Sequence, residues 1–157
     1  MTILGILHWV QDTSFGIALR KSNYLVGATF QLIHIAGFVL LLASVTLINL
    51  RLLGLALMGQ APARIIGAGN ILFGTGLAAA VLSGTLIFLS GPVRYYSNEF
   101  FQLKMLLLTA AVLFQASLFR TVSRRAAERP LAGKAVAIVS LLLWFGVGIS
   151  GRIIGFI

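Results

Sequence analysis

Four long apolar runs, separated by short polar or basic stretches, fill the chain from Tyr24 onward. The first covers 24–50, between Arg20-Lys21 and Arg51, and the second covers 65–90, between Arg64 and the turn Gly91-Pro92. The third covers 98–119 and the fourth 134–157. Each reaches or exceeds the roughly 20 residues that carry a helix through the hydrocarbon core of a bilayer. None alternates with the period of a strand, and backbone groups in lipid must bond within their own segment. The pattern predicts an all-α protein: a bundle of four transmembrane helices forming a single domain over 1–157. Ahead of the first run, Ile3, Leu7, Trp9 and Val10 make an apolar stripe at helical spacing, which predicts a short interfacial helix within 1–21. Asp12-Thr13-Ser14 supplies a helix stop or a fresh N-cap. The stretch 126–133, with Pro130, reads as a plain connector.

Charge refines this picture. The uncharged stretch between Lys104 and Arg120 is too short to cross a bilayer, and so is that between Lys134 and Arg152. Lys104 and Arg152 therefore enter the membrane region, where they snorkel or meet a partner. Arg51, Arg64, Arg120, Arg124, Arg125, Arg129 and Lys134 fall on one side of a four-span topology; Arg20, Lys21, Arg94, Lys104 and Arg152 fall on the other. Basic residues favour the cytoplasm, so a bacterial inner-membrane placement with both termini periplasmic is expected. Tyr24, Tyr95 and Tyr96 lie where an outer aromatic belt belongs.

The composition agrees, at 59% hydrophobic and 10% charged against about 25% charged in a typical soluble domain. The net charge of +9 does not point to nucleic acid, because the basic residues lie singly or in short clusters between apolar runs. No cysteine is present, which excludes disulfides, thiolate metal sites and covalent haem attachment through CxxCH. No basic segment precedes Ile3-Leu4-Gly5-Ile6-Leu7, so insertion is expected to rest on the first span.

Small residues mark the packing faces. Gly76, Ala80 and Gly84 form a small-xxx-small series in the second span, within a set that includes Gly67 and Gly74; Gly148, Gly151 and Gly155 repeat the theme in the fourth. Such faces bring helices close within a bundle, form a dimer face, or make room beside a flat surface for a planar cofactor.

Candidate chemistry rests on few side chains. His34 lies ten residues past Tyr24, about 15 Å down the span by helical rise. Gln31 precedes it by three residues, and Lys104 and Arg152 are expected near the same level from the third and fourth spans. Gln31, His34, Lys104 and Arg152 thus form a candidate polar cluster in the outer half of the bundle. An imidazole there ligates haem iron, with the cations pairing haem propionates, or it hydrogen-bonds a quinone carbonyl and supplies a proton. It also serves as a plain interhelical hydrogen bond. His8 is the only other histidine, so a bis-histidine haem b would need it to fold back from the interfacial helix. Copper finds His34 as a metal ligand, but Met1, Met58 and Met105 form no Met-x-Met motif. The only acids are Asp12, Glu99 and Glu128, all in loops or at interfaces, so neither a hydrolytic carboxylate pair nor a carboxylate-based ion path is expected. No phosphate-binding glycine loop appears. Trp144, deep in the fourth span, reads as packing or as a stacking surface for a cofactor ring.

A set of motifs adds to this reading. Trp9-Val10-Gln11-Asp12-Thr13, His34, Asn49-Leu50-Arg51-Leu52-Leu53-Gly54, Asn98-Glu99-Phe100-Phe101-Gln102-Leu103-Lys104-Met105, Leu143-Trp144 and Gly151-Arg152-Ile153-Ile154 together resemble an uncharacterised family of bacterial four-helix inner-membrane proteins, a domain of unknown function. That family is distantly similar to the membrane portion of CopD-like copper-resistance proteins and to small cytochrome-b-like bundles. The resemblance implies that His34, Arg51, Lys104 and Arg152 are characteristic polar positions. It also implies an acid where Asn49 stands and often a glutamate where Gln31 stands, so this chain departs from the pattern at both.

Three functional expectations follow. The first is a redox-linked membrane subunit with a haem b or quinone site. The second is an accessory subunit packed against other membrane subunits or against its own copies. The third is a CopD-like copper transporter.

Overall fold

Local capping sets the helix starts. Thr2 accepts the Gly5 N–H, Thr13 accepts that of Gly16, Asn23 that of Leu25, and Asn98 those of Phe100 and Phe101. The computed structural model describes residues 2–60, 62–119 and 130–156. Its elements are α1 (Ile3–Gln11), α2 (Ser14–Lys21), α3 (Tyr24–Leu53), α4 (Pro62–Leu89), α5 (Pro92–Tyr96), α6 (Glu99–Phe114), a π-helical turn (Gln115–Phe119) and α7 (Pro130–Ile153). Four of these helices, α3, α4, α6 with its π-turn, and α7, are long and apolar enough to cross a membrane. The chain is a multi-pass membrane protein.

Three details differ from the hydropathy reading. The N-terminal segment is two helices, because Thr13 caps a new one after Asp12 ends the first. The turn at Gly91-Pro92 opens a further short helix, α5, with proline in its first turn. The fourth spanning helix begins at Pro130, so the end of the expected connector is already helical. Proline suits that first turn, where its missing N–H costs nothing. Arg120, Arg124, Arg125 and Arg129 lie outside the described residues.

α3 is the central helix. Its stripe of Gly37, Leu41, Ser44 and Ile48 faces α4, and a neighbouring stripe of Phe38, Leu42, Val45 and Asn49 faces α7. The α3–α4 contact is the closest in the bundle: a Cβ on Gly76 would lie 2.7 Å from both the Gly37 carbonyl oxygen and the Leu41 nitrogen. Gly69 similarly admits Ile48, and Ser44 Oγ donates to the Gly69 carbonyl at 2.5 Å. The Gly76-Ala80-Gly84 series therefore serves packing inside the bundle. Gly67 and Gly74, by contrast, have nothing near a Cβ position among the described residues.

α6 packs on α7 and meets α4 near one end, where Phe88 and Phe101 stack with centroids 5.4 Å apart. The core joins Leu41, Val45, Ala111 and Trp144, with Phe73 presenting an edge to the indole at 5.4 Å and 81°. α3 ends on Gly54, whose φ of 78° is the left-handed cap that glycine adopts without strain. Arg51 then ties down the following loop, donating to Met58 Sδ at 3.2 Å and to the Gln60 carbonyl at 3.4 Å.

Candidate functional site

Close approach of α4 to α3 fixes His34. Its ring lies against Gly84, where a Cβ would sit 2.9 Å from Cε1 and 3.1 Å from Nδ1. Nδ1 is 2.8 Å from the Ala80 carbonyl oxygen. A carbonyl only accepts, so Nδ1 carries the proton and donates, which leaves the Nε2 lone pair as an acceptor. Ser83 Oγ stands 3.3 Å from Nδ1, while its own proton goes to the Ala79 carbonyl at 2.6 Å.

Lys104 approaches from the opposite side of the bundle. Its stem passes over Gly151 of α7, where a Cβ would lie 3.3 Å from Cε and from Nζ. Nζ donates to His34 Nε2 across 3.3 Å. α3, α4, α6 and α7 thus all meet at one point: imidazole, carbonyl, ammonium and an open glycine surface. Among the described residues, His34 is the one polar partner of the Lys104 ammonium, and no carboxylate reaches it.

The other candidates lie elsewhere. Gln31 is exposed and lines a groove one turn above His34, between α3 and the end of α4. Arg152, on the last turn of α7, is also exposed, its guanidinium 4.7 Å from the centroid of the Phe156 ring. His8 is exposed on α1, which packs on α5 and α2. The structure brings His34 and Lys104 together and leaves Gln31, Arg152 and His8 apart from them. Sequence reasoning missed Ala80 and Ser83 as partners and Gly151 as the surface the lysine crosses. The available signal was the glycine in each helix at that level, Gly84 and Gly151.

A second polar group occupies the opposite half. Asn49 Nδ2 donates to Ser140 Oγ at 3.0 Å, and Ser140 Oγ donates to Gln115 Oε1 at 3.3 Å. All three residues are buried, and Gln115 opens the π-helical turn of the third span. Asn49 Oδ1 has no hydrogen-bond partner among the described residues.

What can the His34–Lys104 pair do? A histidine that ligates metal commonly donates its second ring N–H to a carbonyl, as His34 does to Ala80. The lone pair a haem iron would need, however, is directed at the Lys104 ammonium, so ligation requires the lysine to swing away. A carbonyl ligand requires no such displacement, because the ammonium keeps further N–H donors free. For copper, Met58 already accepts from Arg51, and among the described residues no three His, Cys, Asp or Glu side chains gather into a metal-binding group.

A sequence profile described as a family of unknown function (DUF6644) matches residues 6–157. No curated protein and no solved structure matches the chain.

Proposed function

We propose that this chain, which belongs to the DUF6644 family of unknown function, is a small redox-linked membrane subunit that binds a quinone head group at Lys104 and His34. The supporting observation is an ammonium inside a lipid-embedded bundle, held by a neutral imidazole nitrogen at 3.3 Å with no carboxylate beside it among the described residues. A cation placed so needs an electron-rich ligand to offset its desolvation. A quinone carbonyl oxygen accepts its N–H, and reduction to the quinol builds negative charge on that oxygen. Lys104 stabilises this charge and passes on one proton, which it regains from water; water supplies the second proton, and the two electrons come from a redox centre on a partner subunit.

The test uses protein purified in mild detergent, with an oxidised-minus-reduced spectrum, metal analysis and solvent extraction on one sample. Isoprenoid quinone should extract with the wild type. Binding of a short-chain quinone should weaken about 10- to 100-fold in Lys104→Met, the scale of a hydrogen bond to a charged donor. Equal binding by wild type and variant would sink the proposal. Haem bands that vanish in His34→Ala would replace it with a haem b site on His34.

One observation favours a second reading. Both ring nitrogens of His34 are satisfied within the bundle, which is also how a purely structural tie looks. An accessory subunit would use that tie to hold its helices and its exposed apolar faces to meet other membrane subunits or its own copies. A featureless spectrum without quinone, together with comigration in a larger assembly, would select it.

The loop bias supports a bacterial inner-membrane placement with both termini periplasmic. Alkaline phosphatase fused after Ile157 is then expected to be active, and a fusion in the loop after Gly54 inactive. The reverse result would invert the topology.

A further inference from the structure

A different feature lies at the end of the bundle that carries α1 and α2. There α2, the first turns of α3, the last turns of α4 and α5 enclose a groove of about 320 Å³. Its rim presents Arg20, Asn23, Tyr24, Gln31 and Tyr95. These are a guanidinium, two amides and two phenols, and no carboxylate lines the groove among the described residues. Asn23 spends Oδ1 on the Leu25 N–H at 3.3 Å and keeps its amide protons. Among the described residues the Arg20 guanidinium has no hydrogen bond or ion pair. A guanidinium and amide and phenol donors converge here with no carboxylate among the lining residues, which suits an anion.

The walls decide what kind of anion. Leu19, Phe30, Leu86 and Ile87 give the groove apolar walls beside these polar groups. The groove also lies at the start of α3, the first helix long and apolar enough to cross a membrane, and the ends of such helices meet lipid head groups. A free inorganic anion would use the rim and leave the walls bare. A donor rim beside an apolar wall fits an amphiphile with a charged head.

We propose that the groove holds a glycerophospholipid, with its phosphodiester at Arg20 and the start of an acyl chain against Leu86 and Ile87. Gly27 lines the groove too, and among the described residues a Cβ there would meet no atom within 4 Å, so the space is open for the ligand. This site is separate from the His34–Lys104 pair and stands whether or not that pair binds quinone.

The test incubates the full chain, purified in dodecyl maltoside, with dioleoyl phosphatidylglycerol and reads retained lipid by native mass spectrometry. The wild type should hold a phospholipid that survives activation. Arg20→Gln should weaken retention about tenfold, the scale of a charge-assisted hydrogen bond. Gly27→Leu should weaken it comparably by filling the groove. Neither substitution removes a packed contact, so the melting temperature of each should match the wild type. Lys21→Gln, beside Arg20 but outside the groove lining, should retain the lipid. The two variants act through charge and through volume, so either decides the outcome if the other fails to fold. Unchanged retention in the folded variants overturns the proposal. So does displacement of the lipid by equimolar inorganic phosphate, which would make this a simple anion site. Displacement by a short-chain quinone also overturns it and assigns the groove to the redox ligand.

Discussion

Gly76→Leu is expected to leave little folded protein, whereas Gly74→Leu, two residues away, should behave as the wild type. A Cβ at Gly76 would lie 2.7 Å from the Gly37 oxygen and the Leu41 nitrogen and 3.1 Å from the Leu41 Cα. Every one of these is a backbone atom, so no side chain can swing aside and the two helices must separate. Separation would carry His34 away from Ala80 and Ile48 out of the space at Gly69. Even one added methyl costs about 1–3 kcal/mol in a well-packed interior, and leucine extends the clash over a full side chain. Among the described residues no atom lies within 4 Å of a Gly74 Cβ position, and Gly74 is exposed. Fluorescence-detected size exclusion over a temperature ramp would read both variants. Equal melting of the pair would refute the close α3–α4 approach on which the position of His34 depends.

Trp144→Ala should lower stability by about 3 kcal/mol. The side chain has 0% exposure and packs with Leu41, Val45, Ala111 and Phe73. In a bilayer the separated helices are already surrounded by apolar material, so the usual gain from leaving water is absent. The loss is one of contact and cavity, which holds the estimate to the lower part of the range for large aromatics. The indole Nε1 has no hydrogen-bond partner among the described residues, so Trp144→Phe is expected to forfeit volume and no bond. It should cost less than about 1.5 kcal/mol. Reversible unfolding in mixed micelles would measure both. A Phe variant as damaged as the Ala variant would mean that the indole N–H is engaged after all.

The spans were legible in the sequence because lipid imposes a single length scale on every helix, and charged residues bracket the runs. Lys104 was legible within the membrane for the same reason: the uncharged stretch beyond it was too short to cross. That reasoning placed Arg152 equally deep, but a long side chain on the last turn of α7 can lean outward, and Arg152 does so over Phe156. Gln31 failed on angle. Three residues advance a helix by about 300°, which leaves a 60° offset from His34, enough to turn Gln31 into the groove. The contact of Asn49, Ser140 and Gln115 had no signature, because residues on three separate helices share no spacing in the sequence. The break in the N-terminal segment was half legible through Thr13, and α5 was hidden because Gly91-Pro92 reads equally as a turn.

Among the described residues, two polar contacts join the α3–α4 hairpin to the α6–α7 hairpin: His34 with Lys104 near one end, and Asn49 with Ser140 near the other. Fifteen residues of α3 separate their anchors, about 22 Å along the helix axis. Apolar surfaces slide and swivel on one another at little cost, since one methyl group substitutes for the next. A single directional bond would stop the sliding and still act as a pivot. Two, set this far apart, work like a pair of dowels through a joint: they fix both the height of one hairpin against the other and the tilt between them. The sequence needs only four side chains to turn a greasy interface into one with a defined register.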